Sequence, residues 1–357
     1  MKKILLSLLL AASTTTMFAE GELSGKFTIN NGGGQVRFSK GNLQFQLVGN
    51  HEVEEGMLMD GTFRFAEHQY DFIGDATFGN VKEGETKCNN QLIAQSDYKG
   101  WIDLFAWGSG YSPLDTVAQR PDNADHFAKF KDWGANAISN GGSTVNTWRT
   151  LTADEWHYLF FQRSNADILF GYGKVGDVKG LILLPDLTEW QEPKELISAG
   201  KEFKYSVDVI FYESLGYGYK VTKEGPYAAD PYHNVYTKDE WAKMEAAGAV
   251  FFPCGGMRYY QNEMSGVSTD GQYWSSTPMD DGQNAYRMTV GHDVFYACGG
   301  SLRMSGMAVR LVKDVKSATA IENIQSDHAP STKVLKNGVL YIQNNGILYT
   351  VQGQEVR

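Results

Sequence analysis

The stretch QYWSSTPMDDGQNAYRMTVGHDVFYACGGSLRMSGMAVRLV (residues 272–312) decides how this chain is read. It breaks into Tyr273–Ser276, Ala285–Val290, Val294–Cys298 and Met307–Val312, short apolar or alternating runs separated by Pro278, Asp280-Asp281-Gly282, Gly291 and Gly299-Gly300. Runs of four to eight residues bounded by Gly, Pro and Asp are strand signals, so the last third of the main domain predicts successive strands. Upstream, Gly180–Pro185 (GLILLP) and Ala249–Pro253 (AVFFP) have the form of buried strands, and Gln35–Phe38, Leu43–Leu47 and Phe63–Phe65 that of half-buried ones. The acidic run His51–Glu55 predicts a solvated loop. Asp71–Gly142, rich in Gly, Asn, Asp and Trp with little periodicity, predicts long structured loops.

Helix signals are confined to two segments, WRTLTADEWHYLF (148–160) and VYTKDEWAKMEAAGAVFF (235–252), which share Thr-x-Asp-Glu-Trp. Thr152 with Glu155, and Thr237 with Glu240, have the spacing of a capping box, in which hydroxyl and carboxylate each satisfy an orphan amide. Trp156 and Trp241 then open the buried faces. Capping accounts for both glutamates without a catalytic role.

Composition limits the function classes. The chain has 357 residues, 42% hydrophobic and 21% charged, with 39 glycines and 13% aromatic residues, the profile of a loop-rich globular protein. A net charge of −10 argues against nucleic acid as partner, since phosphate binding needs clustered Lys and Arg. The N-terminus reads as a signal peptide over residues 1–19: Lys2-Lys3, the apolar run Ile4–Ala12, then small residues to Ala19. That run is too short to span a bilayer, so no transmembrane segment is expected. The residue directly after Ala19 is Glu20 and not the cysteine that a lipid anchor needs, so none is expected. The protein is expected to be exported, to the cell surface or medium, with the periplasm as alternative.

Export permits disulfides. Cys254 (AVFFPCGG) and Cys298 (VFYACGG) each end an apolar run and precede Gly-Gly, which suggests matched positions on neighbouring strands. A bridge between them would contribute about 4 kcal/mol in the chain-entropy picture; two buried free thiols are the alternative. The remaining cysteine is Cys88.

Several motifs together resemble a known family. Val36–Phe45 (VRFSKGNLQF), Phe63–Gly74 (FRFAEHQYDFIG), Gly100–Gly108 (GWIDLFAWG), Ala137–Gly142 (AISNGG), Trp148–Thr152 (WRTLT), Tyr273–Thr277 (YWSST) and Ala308–Val312 (AVRLV) are similar to the Fibrobacter major paralogous domain, found in exported proteins of Bacteroidales-type bacteria. The resemblance implies a relative of the C-type lectin-like and sulfatase-modifying folds: an α+β, C-type lectin-like core with long structured loops and few helices. The organisation expected is residues 20–315 for that domain, 316–332 for a polar linker and 333–357 for a small C-terminal β module. Asn345-Gly346 between two alternating runs marks a hairpin there. Lys333–Leu335, Asn337-Gly338, Leu340–Ile342 and Gly353–Val356 resemble the C-terminal modules of proteins exported by the type IX route, which implies outer-membrane secretion machinery as a partner.

Chemistry-bearing patterns are few. A calcium-dependent lectin would need Glu-Pro-Asn and Trp-Asn-Asp, and this chain has Glu192-Pro193-Lys194 and Trp274-Ser275-Ser276, where Lys cannot donate an oxygen to Ca²⁺. The best remaining oxygen cluster, Asp280, Asp281 and Asn284, follows Pro278 as a turn would. Formylglycine-generating relatives would imply paired late cysteines and Arg-Gly-Gly-Ser-Trp; Cys298–Leu302 (CGGSL) keeps only part of that. No Gly-x-Ser-x-Gly, phosphate loop or His-Glu-x-x-His occurs, and the seven histidines show no metal spacing. No catalytic residue, metal or cofactor is expected.

The leading expectation is an exported recognition or adhesion protein that binds a glycan or a surface protein. Its ligand residues would be Arg258, Tyr259, Tyr260, Asp280, Asp281, Asn284, Phe295 and Tyr296, from the late loops. The alternatives are a divergent enzyme of the sulfatase-modifying type and a structural surface component.

Overall fold

The structure is a computed structural model that describes residues 21–53, 56–73, 100–109, 130–187, 203–205, 209–212, 218–221, 231–259, 264–291, 294–315, 332–336, 339–344, 347–350 and 355–356. The chain divides into two compact units, Met1–Val315 and Lys316–Arg357. The signal-peptide region, Cys88 and Glu192–Lys194 lie outside the described residues.

In chain order the first unit opens with β1 Phe27–Thr28, β2 Gln35–Phe38, β3 Leu43–Val53, β4 Gly56–Phe65 and β5 Trp101–Ile102. Helix α1, Ala153–Phe161, follows, then β6 Phe170–Val175, β7 Val178–Leu183, β8 Val209–Tyr212, β9 Gly218–Val221 and β10 Asn234–Tyr236. Helix α2, Lys238–Ala246, precedes β11 Val250–Pro253, β12 Gly255–Arg258, β13 Met264–Val267 and β14 Gly271–Pro278. The unit closes with β15 Asn284–Val290, β16 Val294–Leu302 and β17 Val312–Asp314.

The fold is sheet-rich. The described residues hold two α-helices of nine residues each, so the chain is mostly β rather than a balanced α+β mixture. The physical reason is the scarcity of helical periodicity outside the two Thr-x-Asp-Glu-Trp segments.

Both helices start as their sequence dictates. In α1, Glu155 N donates to Thr152 Oγ1 (3.1 Å) and Thr152 N to Glu155 Oε2 (2.8 Å). In α2, Thr237 and Glu240 repeat the arrangement at 3.2 and 2.8 Å. Glu155 also takes both terminal nitrogens of Arg149 at 2.8 Å, and Arg149 reaches Asp314. Trp156 and Trp241 are buried, Trp156 within 6.1 Å of Phe38 and 5.7 Å of Phe252.

The largest sheet has the order β13-β12-β14-β15-β16-β9-β8. Helix α1 packs on β14–β16. A second sheet, β10-β6-β7-β11, sets the two apolar runs side by side, with Phe252 opposite Leu181. Smaller sheets are β1-β2-β17 and β4-β3-β5. The run expected as a solvated loop near His51 instead continues β3, with His51 opposite Leu58 in a long hairpin. Strand pairing satisfies the backbone there and outweighs side-chain polarity.

The described parts of Asp71–Gly142 are largely irregular, as expected, and are pinned by indoles. Trp107 Nε1 donates to Ser275 O (2.9 Å), Trp274 Nε1 to Phe105 O (2.7 Å) and Trp148 Nε1 to Gly141 O (2.8 Å).

The expected strand Met307–Val312 is a connecting segment whose pairings change residue by residue. Gly306 and Arg258 exchange backbone hydrogen bonds (2.7 and 2.8 Å), as do Met307 and Phe105 (3.0 and 2.9 Å). Ala308 donates to Gln272 and accepts from Trp274, Val309 accepts from Leu43, Leu311 from Ser39, and Val312 pairs with Arg149. A Cβ on Gly306 would sit 2.8 Å from Arg258 Nε, so a larger residue there would have to displace the Arg258 side chain. Arg310 is buried, with Nη2 on Gln69 Oε1 (2.8 Å) and Nη1 on Asn42 Oδ1 (3.3 Å).

The second unit is a sheet of order β18-β19-β20-β21, from Thr332–Lys336, Val339–Asn344, Ile347–Thr350 and Glu355–Val356. Asn344 opposes Ile347 across the hairpin expected from Asn345-Gly346, which itself lies outside the described residues.

Thr152→Ala and Thr237→Ala are each expected to lower stability by about 1 kcal/mol. Urea unfolding should show a lower midpoint with an unchanged slope.

Candidate functional site

Strands β14, β15 and β16 have two faces, separated by the period-two alternation of their side chains. On one, Tyr273, Met288, Val290, Phe295 and Ala297 belong to the apolar core that includes Trp156 and Phe160 of α1. On the other, Trp274 and Ala285 join a second core with Met257, Met307 and Val309. Further along this second face the character turns polar.

Gln272 opposes Thr289, and Thr289 opposes Tyr296, so the three form a row across the sheet. Directly opposed residues in antiparallel strands project to the same side. Thr289 Oγ1 donates to Gln272 Oε1 at 2.9 Å, and Arg287, two residues before Thr289, donates to Thr289 Oγ1 from Nη1. Arg287 stands opposite Trp274 on β14 and Gly299 on β16. A Cβ on Gly299 would come within 3.3 Å of Arg287 Nη1 and 3.5 Å of Tyr296 Cβ, so the glycine leaves the guanidinium its place. Tyr259, immediately after β12, is 47% exposed, and Tyr296 is half-buried. Burial pulls Arg287 below the usual arginine range, while nearby Tyr259, Tyr296 and Asp270 act in the opposite direction.

The residues expected to bind ligand separate into distinct environments. Tyr259 and Tyr296 belong to this polar face. Tyr260 lies outside the described residues. Phe295 is fully buried, 4.8 Å from Phe160 and 5.4 Å from Phe170, because consecutive strand residues face opposite ways and Tyr296 takes the outer position. Arg258 is likewise buried at 1% exposure, against Gly306, and burial lowers its pKa to about 10. Neither Phe295 nor Arg258 is a surface contact.

Asp280 and Asp281 are exposed and Asn284 is half-buried, but Asp281 is occupied by its own turn. Its Oδ1 accepts from Gln283 N (3.0 Å) and Asn284 N (2.8 Å), and its Oδ2 from Asn284 Nδ2 (2.6 Å). Those bonds hold the Asp281 carboxyl below the usual carboxylate range. Arg303 braces the same turn through Asn284 O and Met279 O. No group of three or more His, Cys, Asp or Glu side chains suited to a metal occurs among the described residues.

The cysteines correct the expected bridge. Both Cys254 and Cys298 are free and buried. Cys254 precedes β12 and Cys298 lies in β16, with β14 and β15 between them. Three inter-strand steps of about 4.8 Å exceed the reach of a disulfide. Cys254 Sγ lies 3.7 Å from Tyr232 Oη, and Cys298 Sγ donates to Ala153 O at 3.6 Å. Burial pushes each thiol up to about 12, the reverse of what an activated nucleophile needs.

Sequence reasoning missed Arg287, Thr289 and Gln272. The signal was present in Arg287-Met288-Thr289-Val290, where polar and apolar residues alternate at strand period. Against known protein families, curated proteins and solved structures, the chain has no match.

Native protein at pH 8 is expected to leave Cys254 and Cys298 unalkylated, and unfolding without reductant should expose both. Peptide mass spectrometry checks this; a peptide linking the two would contradict it.

Proposed function

We propose that this chain is an exported, cell-surface recognition protein with a C-type lectin-like core, and that it binds a glycan on the polar face of β14–β16. One observation carries the reading: an exposed Tyr259 and a half-buried Tyr296 near Arg287, on a sheet whose opposite face is wholly committed to the core. A tyrosine offers an apolar ring for a sugar face and a hydroxyl for its rim. Further support comes from the motifs that resemble the Fibrobacter major paralogous domain. Two of those motifs meet in the fold, where Trp274 N donates to Ala308 O at 3.1 Å.

The rival reading, a divergent sulfatase-modifying enzyme, would route its chemistry through Cys298. That thiol is buried against the first turn of α1 and protonated at neutral pH, which favours recognition. Glu155 and Glu240 are occupied as helix caps. No helix of the described residues is long and apolar enough to cross a membrane. Display at the surface would instead rest on the C-terminal sheet acting as a type IX sorting module.

Tyr259→Ala should weaken binding to whichever glycan an array identifies by roughly threefold to tenfold, with no change in melting temperature. Unchanged binding would discard this face. Deleting residues 333–357 should leave the first unit folded and abolish surface exposure, measured by protease accessibility on intact cells; continued exposure would count against sorting.

A further inference from the structure

Arg287 has a chemistry that the fold does not use up. It makes no ion pair among the described residues, unlike Arg149 with Glu155 and Asp314 or Arg163 with Asp186, and unlike Arg258 and Arg310 it is only half-buried. Its protein hydrogen bond runs from Nη1 to a hydroxyl, Thr289 Oγ1, whose own proton is directed to Gln272. Its Nε is enclosed without a partner, whereas Nη2 is not enclosed. Removing a guanidinium from water without a carboxylate to receive it is unfavourable, so an anion that reached this half-buried group would meet a cation whose charge is not already paired.

The open donors also define the shape of that anion. With Nε closed off, Nη2 is the open donor, and a carboxylate would seat across the Nη1–Nη2 end of the guanidinium. Two parallel N–H donors match the two oxygens of a carboxylate. Tyr259 and Tyr296 lie near the same group, so an anion held there would place the ring attached to it against aromatic surface. The absence of a side chain at Gly299 keeps that end of the guanidinium clear on β16.

The geometry points to a carboxylated sugar, a uronic or sialic acid residue, as the ligand of this face, with Arg287 holding the carboxylate and Tyr259 and Tyr296 contacting the ring. The inference rests on the recognition reading above and adds the class of sugar. It also fits a chain of net charge −10, for which a general attraction to acidic polymers is not available and a specific cation is required.

Calorimetric titration of the full chain with tri-galacturonic acid, its methyl ester, sialyllactose and lactose tests this and separates the two acid sources. At least one acidic sugar should bind about tenfold or more tightly than its neutral counterpart. Arg287→Ala should remove that difference while the melting temperature is followed as a control, and Arg287→Lys should lose most of it, because an ammonium cannot form the two-pronged contact. The methyl ester keeps the test decisive even if Arg287→Ala misfolds. Equal binding of acidic and neutral sugars, still sensitive to Tyr259→Ala, would overturn the carboxylate inference and leave the recognition reading intact. Binding of none of the four would overturn the inference, and an array with no glycan bound would remove the recognition reading with it.

Discussion

The segment Gly306–Val312 is where the first unit is tied together. Within seven residues its backbone bonds to Arg258, Phe105, Gln272, Trp274, Leu43, Ser39 and Arg149, which belong to different sheets and loops. A buried segment must have its amides and carbonyls satisfied, and here no single strand supplies all the partners. Its one charged residue, Arg310, is buried as well, near the face of Phe252 and bonded to Gln69 and Asn42. Gln69 in turn donates to Ala249 O and Glu245 and accepts from Phe251 N. One side chain thus links the segment to α2, to β11 and to the start of β3. Burial lowers Arg310 to about 10, so it remains cationic at neutral pH and its hydrogen bonds stay charge-assisted.

With that frame in place, strand alternation does the rest of the sorting. Phe295 and Tyr296 are adjacent and similar, yet one is sealed against α1 and the other stands on the polar face. Arg287 and Thr289 follow Tyr296 outward, while Met288 and Val290 follow Phe295 inward. The candidate ligand face is therefore a by-product of burying the other side. The strand position of Tyr296 is fixed together with that of Phe295, which packs on Phe160 and Phe170.

The acidic and thiol groups singled out by the sequence hold structural positions among the described residues. Glu155 caps α1 and simultaneously neutralises Arg149, which bonds to β17 through Asp314. Glu240 caps α2. The thiols of Cys254 and Cys298 fill apolar space on different sides of two intervening strands. Glu155, Glu240, Cys254 and Cys298 are thus occupied structurally, whereas the Arg287 guanidinium has no ion-pair partner among the described residues.

Local rules were enough for much of the architecture. Both capping boxes, the buried strands around Leu181 and Phe251, and the strand character of residues 273–298 follow from hydrogen-bond spacing and hydrophobic periodicity, which act within a few residues. The sequence by itself also offered Tyr259 and Tyr296 as candidate contacts. Only the tertiary structure decided which of them face solvent. Arg258 and Phe295 looked as available as their neighbours, but burial depends on what packs above a strand, and that comes from residues far away in the chain, Gly306 and Phe160. The separation of Cys254 from Cys298 is of the same kind: matched local contexts say nothing of how many strands lie between them, because sheet order is set by long-range pairing. Arg287 emerges last for the same reason, since its open end exists only once Gly299, Thr289 and Gln272 are brought beside it.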